Sequence, residues 1–67
     1  MKISILEDGL KFQFLTGEQI EDIERLVKLF EFKVDSKPYG VMTIWGEQKY
    51  LYSALYILAK KYDIDLW

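Results

Sequence analysis

The spacing of apolar residues changes along this chain from alternation to a helical period, and it does so twice, which restricts the folds open to it. Residues 2–15 alternate and residues 16–30 have a helical period, and residues 30–45 and 48–62 repeat this succession. The predicted order is therefore ββαββα. Two adjacent hairpins form a four-stranded, mainly antiparallel sheet, and two helices can cover its one apolar face. We expect an α+β fold, a two-layer sandwich in a single compact domain spanning 1–67.

The first predicted hairpin turns at Asp8-Gly9. Both residues of an Asp-Gly pair tolerate positive φ, so this pair between two alternating runs is a strong hairpin signal. After the turn, Leu10, Phe12 and Phe14 alternate with polar residues. All three are therefore expected on the apolar side of the returning strand.

A helix is predicted to begin after Thr16. The Thr16 hydroxyl can cap the first turn, and Gln19 three residues later can complete a capping box. The apolar face of this helix comprises Ile20, Ile23, Leu26, Val27 and Phe30. The acidic residues near its start are expected to face outward, where the helix dipole favours them. They are Glu18, Glu21 and Asp22.

The second predicted hairpin follows this helix, although residues 29–32 fit either state and leave the helix end open. Residues 30–35 alternate, with Phe30, Phe32 and Val34 on one side. A loop of about five residues, 36–40, contains the single proline. Residues 41–45 are β-branched and aromatic, which favours a strand.

The last predicted helix, residues 48–62, has more apolar surface than one buried face requires. At about 100° per residue, one face groups six residues for the core. They are Leu51, Ala54, Leu55, Leu58, Ala59 and Tyr62. Outside this face lie Tyr50, Tyr52, Tyr56 and Ile57, which we interpret as surplus to folding. Lys49 and Lys60 share a sector with Tyr52 and Tyr56.

The composition excludes several chemistries. Without Cys or His, the chain has no disulfide, no usual zinc ligand set, and no thiol or imidazole catalyst. Ser53 lies four residues after Lys49, which is too weak a pattern to indicate a Ser–Lys catalytic pair. We expect neither an enzyme nor a metal or cofactor site.

Charge and hydropathy bear on the kind of partner and on location, and the absence of Cys fits a reducing cytoplasm. Eleven acidic and nine basic residues leave a net charge of −2, unlike the basic surface that usually marks a nucleic-acid-binding domain. No run approaches the roughly 20 apolar residues that span a bilayer, and the first residues lack the apolar region of a signal peptide. We expect no membrane association and a cytoplasmic location.

The surplus tyrosines predict a protein-binding module, a modulator or inhibitor of a partner that the sequence does not identify. Small, acidic, cysteine-free chains of this type occur among the accessory proteins of phages and mobile elements. Self-association through the last helix, giving a homodimer, is also expected, because small domains often need it for stability. The predicted partner-binding residues are Lys49, Tyr50, Tyr52, Tyr56, Ile57, Lys60 and Trp67. Trp67 is expected to pack back onto the domain or to touch the partner.

Three alternatives remain open. The tyrosines of the last helix can simply border the core with their hydroxyls in water. A nucleic-acid-binding module would use the face formed by Lys49, Tyr52, Tyr56 and Lys60, with Lys33 and Lys37 from the second hairpin. A small-ligand pocket between sheet and helices is a third alternative, against which stands the small volume that such a core leaves.

Overall fold

A computed structural model, which describes residues 1–64, has four strands in one antiparallel sheet and two helices on one side of it. The elements are β1 (Lys2–Ile5), β2 (Gly9–Gln13), α1 (Gly17–Phe30), β3 (Lys33–Lys37), β4 (Val41–Trp45) and α2 (Gln48–Tyr62). The strand order is β1-β2-β4-β3, so the returning strands of the two hairpins pair at the centre. The predicted α+β class and ββαββα order are confirmed.

The core lies between the two central strands and the helices. Leu10 of β2 is opposite Ile44 of β4, and Phe12 is opposite Met42. The side chains of these four residues are buried. The helices complete the core with Ile23, Leu26, Leu51, Ala54, Leu55 and Leu58. Because side chains alternate across a strand, the other face of the sheet remains open to solvent.

Gly9 is required by close packing rather than by a tight turn. It is the first residue of β2, and it pairs with Trp45 of β4. A Cβ atom on Gly9 would lie 2.5 Å from the carbonyl oxygen of Ile44 and 2.8 Å from Cδ1 of Trp45. The Asp-Gly pair correctly predicted the hairpin, but Gly9 lies in the strand and the indole ring covers it.

Phe14 does not extend the apolar side of β2, so this prediction was wrong. The strand ends at Gln13, and Phe14 has a left-handed backbone (φ 57°) with 73% of its surface exposed. The next residue, Leu15, donates its N–H to the carbonyl oxygen of Gly40, at 3.1 Å. This bond joins the end of β2 to the loop of the second hairpin, which is three residues long (38–40) rather than about five.

The end of α1 resolves the ambiguity of residues 29–32. The helix continues through Phe30 and ends at Glu31, which has a left-handed backbone (φ 58°). The N–H groups of Glu31 and Phe32 both point to the carbonyl oxygen of Val27. Phe32 is buried just before β3, whereas Val34 is exposed on the edge strand. The predicted alternation was wrong for Phe30, which is helical. Phe32 lies in the core, and Val34 pairs with the core residue Ile44 and so lies on the covered side of the sheet, although it is exposed at the edge.

Candidate functional site

The sheet-facing side of α2 forms much as the sequence predicts. Five of its six predicted core residues are buried, and the sixth, Tyr62, is half-buried. The opposite arc of the helix, about 140° wide, faces away from the sheet. We call this arc the outer surface of α2, and it comprises Lys49, Tyr52, Ser53, Tyr56, Ile57 and Lys60.

Three large side chains of the outer surface of α2 are in contact with water. Tyr52 is 50% exposed, Tyr56 is 61% exposed and Ile57 is 44% exposed. Tyr52 and Tyr56 are one helical turn apart, so their rings lie on the same side. The side-chain amide of Gln48 donates to the Tyr52 hydroxyl at 3.2 Å, and the Lys60 ammonium lies 5.7 Å from the centre of the Tyr56 ring. These contacts hold both rings at the surface.

Tyr50 has a role in the fold that the sequence reading did not assign. Its ring stacks on Phe30 at the end of α1, with 5.5 Å between centroids and 23° between planes. The ammonium of Lys49 lies 5.0 Å from the centroid of the same ring. The interpretation of Tyr50 as surplus to folding was therefore wrong, because a single-helix projection does not show which side chain the neighbouring helix supplies.

Ser53 is bonded to its own helix. Its hydroxyl donates to the main-chain carbonyl oxygen of Lys49 at 3.0 Å, a common arrangement for serine inside a helix. The hydroxyl is thus directed at the backbone, and the i,i+4 spacing with Lys49 reflects helix geometry.

Asp22 lies on the side of α1 that packs toward α2, so the prediction that it faces outward was wrong. Its carboxylate is buried and receives three charged or polar donors. Arg25 Nη1 is 2.6 Å from one oxygen, Lys61 Nζ is 2.8 Å from the other, and the Tyr62 hydroxyl donates to that second oxygen. These contacts tie the first turns of α1 to the last turn of α2.

The hydrogen bonds also change the acidities in this cluster. The hydrogen bond from Lys61, followed by that from Tyr62, holds the pKa of Asp22 below its usual range. The hydrogen bond to Asp22 raises the pKa of Tyr62 to about 12. A carboxylate held ionised by three donors is a poor proton acceptor. We therefore interpret the cluster as structural.

A signal for Asp22 was present in the sequence, although its partners were not. On the helical projection Asp22 is about 40° from the core residue Leu26, at the margin of the buried face. Its partner Tyr62 is 40 residues away. Only the packing of α1 beside α2 brings these side chains together.

The two parts of the alternative nucleic-acid face do not meet. Lys33 and Lys37 alternate with the residues of β3 that share the covered face, so they project from the open face of the sheet. Lys37 lies 3.4 Å from Asp35 on that face. The outer surface of α2 is on the opposite, helical side. Trp67, the remaining predicted site residue, lies outside the described residues.

The described residues form neither a cluster of metal ligands nor a membrane-spanning helix. Within residues 1–64, no three acidic side chains are grouped closely enough to hold a metal ion. Neither α1 nor α2 combines the length and the apolar character that a bilayer-crossing helix requires, and this finding covers the same residues.

The chain has no significant match among protein-family models, curated proteins or solved structures.

Proposed function

We propose that this protein is a non-enzymatic protein-binding module that modulates or inhibits a protein partner through the outer surface of α2. The observation that supports this proposal is the exposure of Tyr52, Tyr56 and Ile57 on a helix whose other side already completes the core. Tyrosine is enriched at protein interfaces because it offers a large, rather rigid apolar ring with one polar atom. None of these three side chains belongs to the core cluster of the described residues.

The arrangement suits a groove in the partner that accepts one face of a helix. Tyr52 and Tyr56 would enter it together, and Ile57 would border it. Lys60, beside the Tyr56 ring, would lie at the rim, where acidic residues of the partner would complement it. A second copy of this chain is part of the same proposal, since a two-fold axis beside α2 would bring the tyrosines of two copies together.

The decisive experiment is affinity capture with the intact chain from cells of the source, followed by mass spectrometry and binding measurements on the captured protein. Tyr56→Glu should abolish binding, because it places a charge at the centre of the interface. Tyr39→Glu is the matched control, since Tyr39 is 96% exposed in the 38–40 loop, outside the outer surface of α2. Binding that survives Tyr56→Glu combined with Tyr52→Glu would refute the proposal.

Sedimentation equilibrium tests the dimer separately. A dimer should dissociate in Tyr56→Glu and persist in Tyr39→Glu. If the protein is a monomer at millimolar concentration, self-association is excluded. The proposed binding of a different protein partner is not affected by that result.

A second candidate, nucleic-acid binding, draws on the open face of the sheet. Four lysines project from this face, together with Trp45 and a single acidic residue of the described strands, Asp35. Lysines beside an aromatic ring can bind the phosphates and stack on the bases of a single strand. Binding of a fluorescent single-stranded oligonucleotide should then weaken steeply with salt and fail in Lys11→Glu. A response that does not change with salt excludes this candidate.

A further inference from the structure

A groove of about 450 Å³ opens at the end of the sheet where β4 ends, α1 ends and α2 begins. Its volume falls within the usual range for ligand sites. The groove lies outside the core, so the small size of the core does not argue against it. Three aromatic and three acidic residues are among those that line it, namely Phe30, Trp45, Tyr50, Asp8, Glu31 and Glu47.

The aromatic walls of the groove are fixed by packing. Phe30 and Tyr50 stack on each other across the junction of the two helices. The Trp45 ring lies against Gly9, whose missing Cβ leaves room for it. A site with walls set before the ligand arrives loses little conformational entropy on binding.

The electrostatics of the groove favour a cation. Three acidic residues and one basic residue, Lys33, line it among the described residues, and the Lys49 ammonium lies beside Glu47, so the groups at the groove still carry one net negative charge. Glu31 also follows the last turn of α1, where the helix dipole adds partial negative charge. Aromatic faces attract cations as well. Both kinds of lining group therefore select the same sign of ligand charge.

The chain itself already places a cation against two of these groups. The Lys49 ammonium lies 5.0 Å from the centre of the Tyr50 ring and 3.8 Å from the Glu47 carboxylate. This intramolecular contact shows that the ring and the carboxylate are close enough to act on one positive charge. It also indicates the chemistry that a ligand would copy.

We propose that this groove binds the guanidinium group of an arginine side chain presented by a protein partner. A guanidinium is planar, stacks on aromatic rings and donates paired hydrogen bonds to carboxylates, so it uses both lining groups at once. This site is distinct from the outer surface of α2 and extends the proposed function, because it names the chemistry of a second contact.

The test uses the full chain with Trp67→Phe, which leaves Trp45 as the single tryptophan and a reporter inside the groove. The peptide acetyl-Gly-Arg-Gly-amide is titrated against Trp45 emission. The matched ligand replaces arginine with citrulline, which has the same shape and no charge. We expect saturable binding of the arginine peptide, at least about tenfold tighter than the citrulline peptide, and weaker binding at high salt.

Variants of the same Trp67→Phe chain identify the carboxylates. Combined Glu31→Gln and Glu47→Gln should weaken the arginine peptide by about tenfold or more. Glu24→Gln, the same change at an exposed position of α1 outside the groove, should leave binding unchanged. Circular dichroism confirms that each variant is folded.

Equal affinity for the two peptides, no saturable change in Trp45 emission, or full affinity in the double variant would each overturn the proposal. These variants leave Tyr52, Tyr56 and Ile57 intact. Failure here is therefore distinguishable from failure of the function proposed for the outer surface of α2.

Discussion

The two helices cover the same sheet but present different exteriors to solvent. The start of α1 has a complete capping box between Thr16 and Gln19, and its outward side is mainly charged. In α2 the Glu47 side chain makes no capping hydrogen bond within the described residues, and two tyrosines and an isoleucine point outward. The exterior of α1 is sufficient for a stable amphipathic helix, so folding alone does not account for that of α2. The difference between the helices locates the candidate interface.

The largest effect is expected from breaking the contact that joins the two helices. Asp22→Ala removes the acceptor shared by Arg25, Lys61 and Tyr62. We expect the free energy of unfolding to fall by about 2 kcal/mol, because charge-assisted hydrogen bonds are lost while Arg25 and Lys61 can still reach water. Urea denaturation measures this.

Glu21→Ala is the control for the Asp22 variant. Glu21 is exposed on α1 and lies 3.9 Å from Arg25, so its removal should change stability by less than about 0.5 kcal/mol. An Asp22→Ala protein as stable as Glu21→Ala would show that the buried cluster does not hold the helices together.

The same cluster predicts a defined dependence on pH. Because the folded pKa of Asp22 lies below 3.8, its contribution is complete above about pH 4 and is lost as the pH falls through the folded pKa. Because the pKa of Tyr62 rises from 10.0 to about 12, its contribution is complete below pH 10 and is lost between pH 10 and 12.

Wild-type protein and Tyr62→Phe should therefore differ in stability at pH 7, and the difference should shrink as the pH rises from 10 to 12. Repeating the comparison in Asp22→Asn protein should give a much smaller difference at every pH. Chemical denaturation over the pH range measures both. A difference that stays constant to pH 12 would contradict the hydrogen bond between Tyr62 and Asp22.

Smaller changes in stability are expected from removing the side-chain N-cap of α1 and from adding one to α2. Thr16→Ala should lower the free energy of unfolding by about 1 kcal/mol, since it removes the acceptor for the Gln19 N–H. Glu47→Asp should raise it by about 0.5 kcal/mol, because Glu47 already has the extended backbone of an N-cap and a shorter carboxylate can reach the first turn. Thermal and urea unfolding report both changes, and a loss of stability in Glu47→Asp would contradict this account.

The smallest change in stability is expected on the outer surface of α2. Tyr56→Ser should alter the free energy of unfolding by less than about 0.5 kcal/mol, because it removes an exposed ring with few packing partners. Leu29 is an exposed apolar residue of α1, and Leu29→Ser should change the free energy of unfolding by a similarly small amount. Only Tyr56→Ser should also reduce partner binding, as measured by calorimetry with the captured protein. A loss above 1 kcal/mol would assign Tyr56 to the core instead.

Local spacing predicted those features that depend on neighbours along the chain. The capping box of Thr16 and Gln19 and the buried face of α2 follow from intervals of three or four residues. The exposure of Tyr52 and Tyr56 followed from the same projection. Periodicity thus indicated the fold class, most of the core and part of the candidate site.

Features that depend on distant neighbours could not be predicted in this way. The Tyr50 ring is positioned by stacking on Phe30, which lies 20 residues earlier in the chain. The Asp22 carboxylate is positioned by the hydrogen bond from Tyr62. Phe14 leaves its strand where Leu15 bonds to Gly40 in the second hairpin. Each of these depends on which elements become adjacent, and alternation or a helical period contains no information about that.

The charges of the open sheet face affect how the molecule orients as it approaches a charged partner. That face carries four lysines and one aspartate, whereas the rest of the described residues, 1–64, include five basic and nine acidic residues. The protein is therefore an electric dipole, positive on the sheet side and negative elsewhere. In the field of a charged partner it would rotate before contact. A positively charged partner would thus meet the helices first, and the direction of docking would be selected during diffusion.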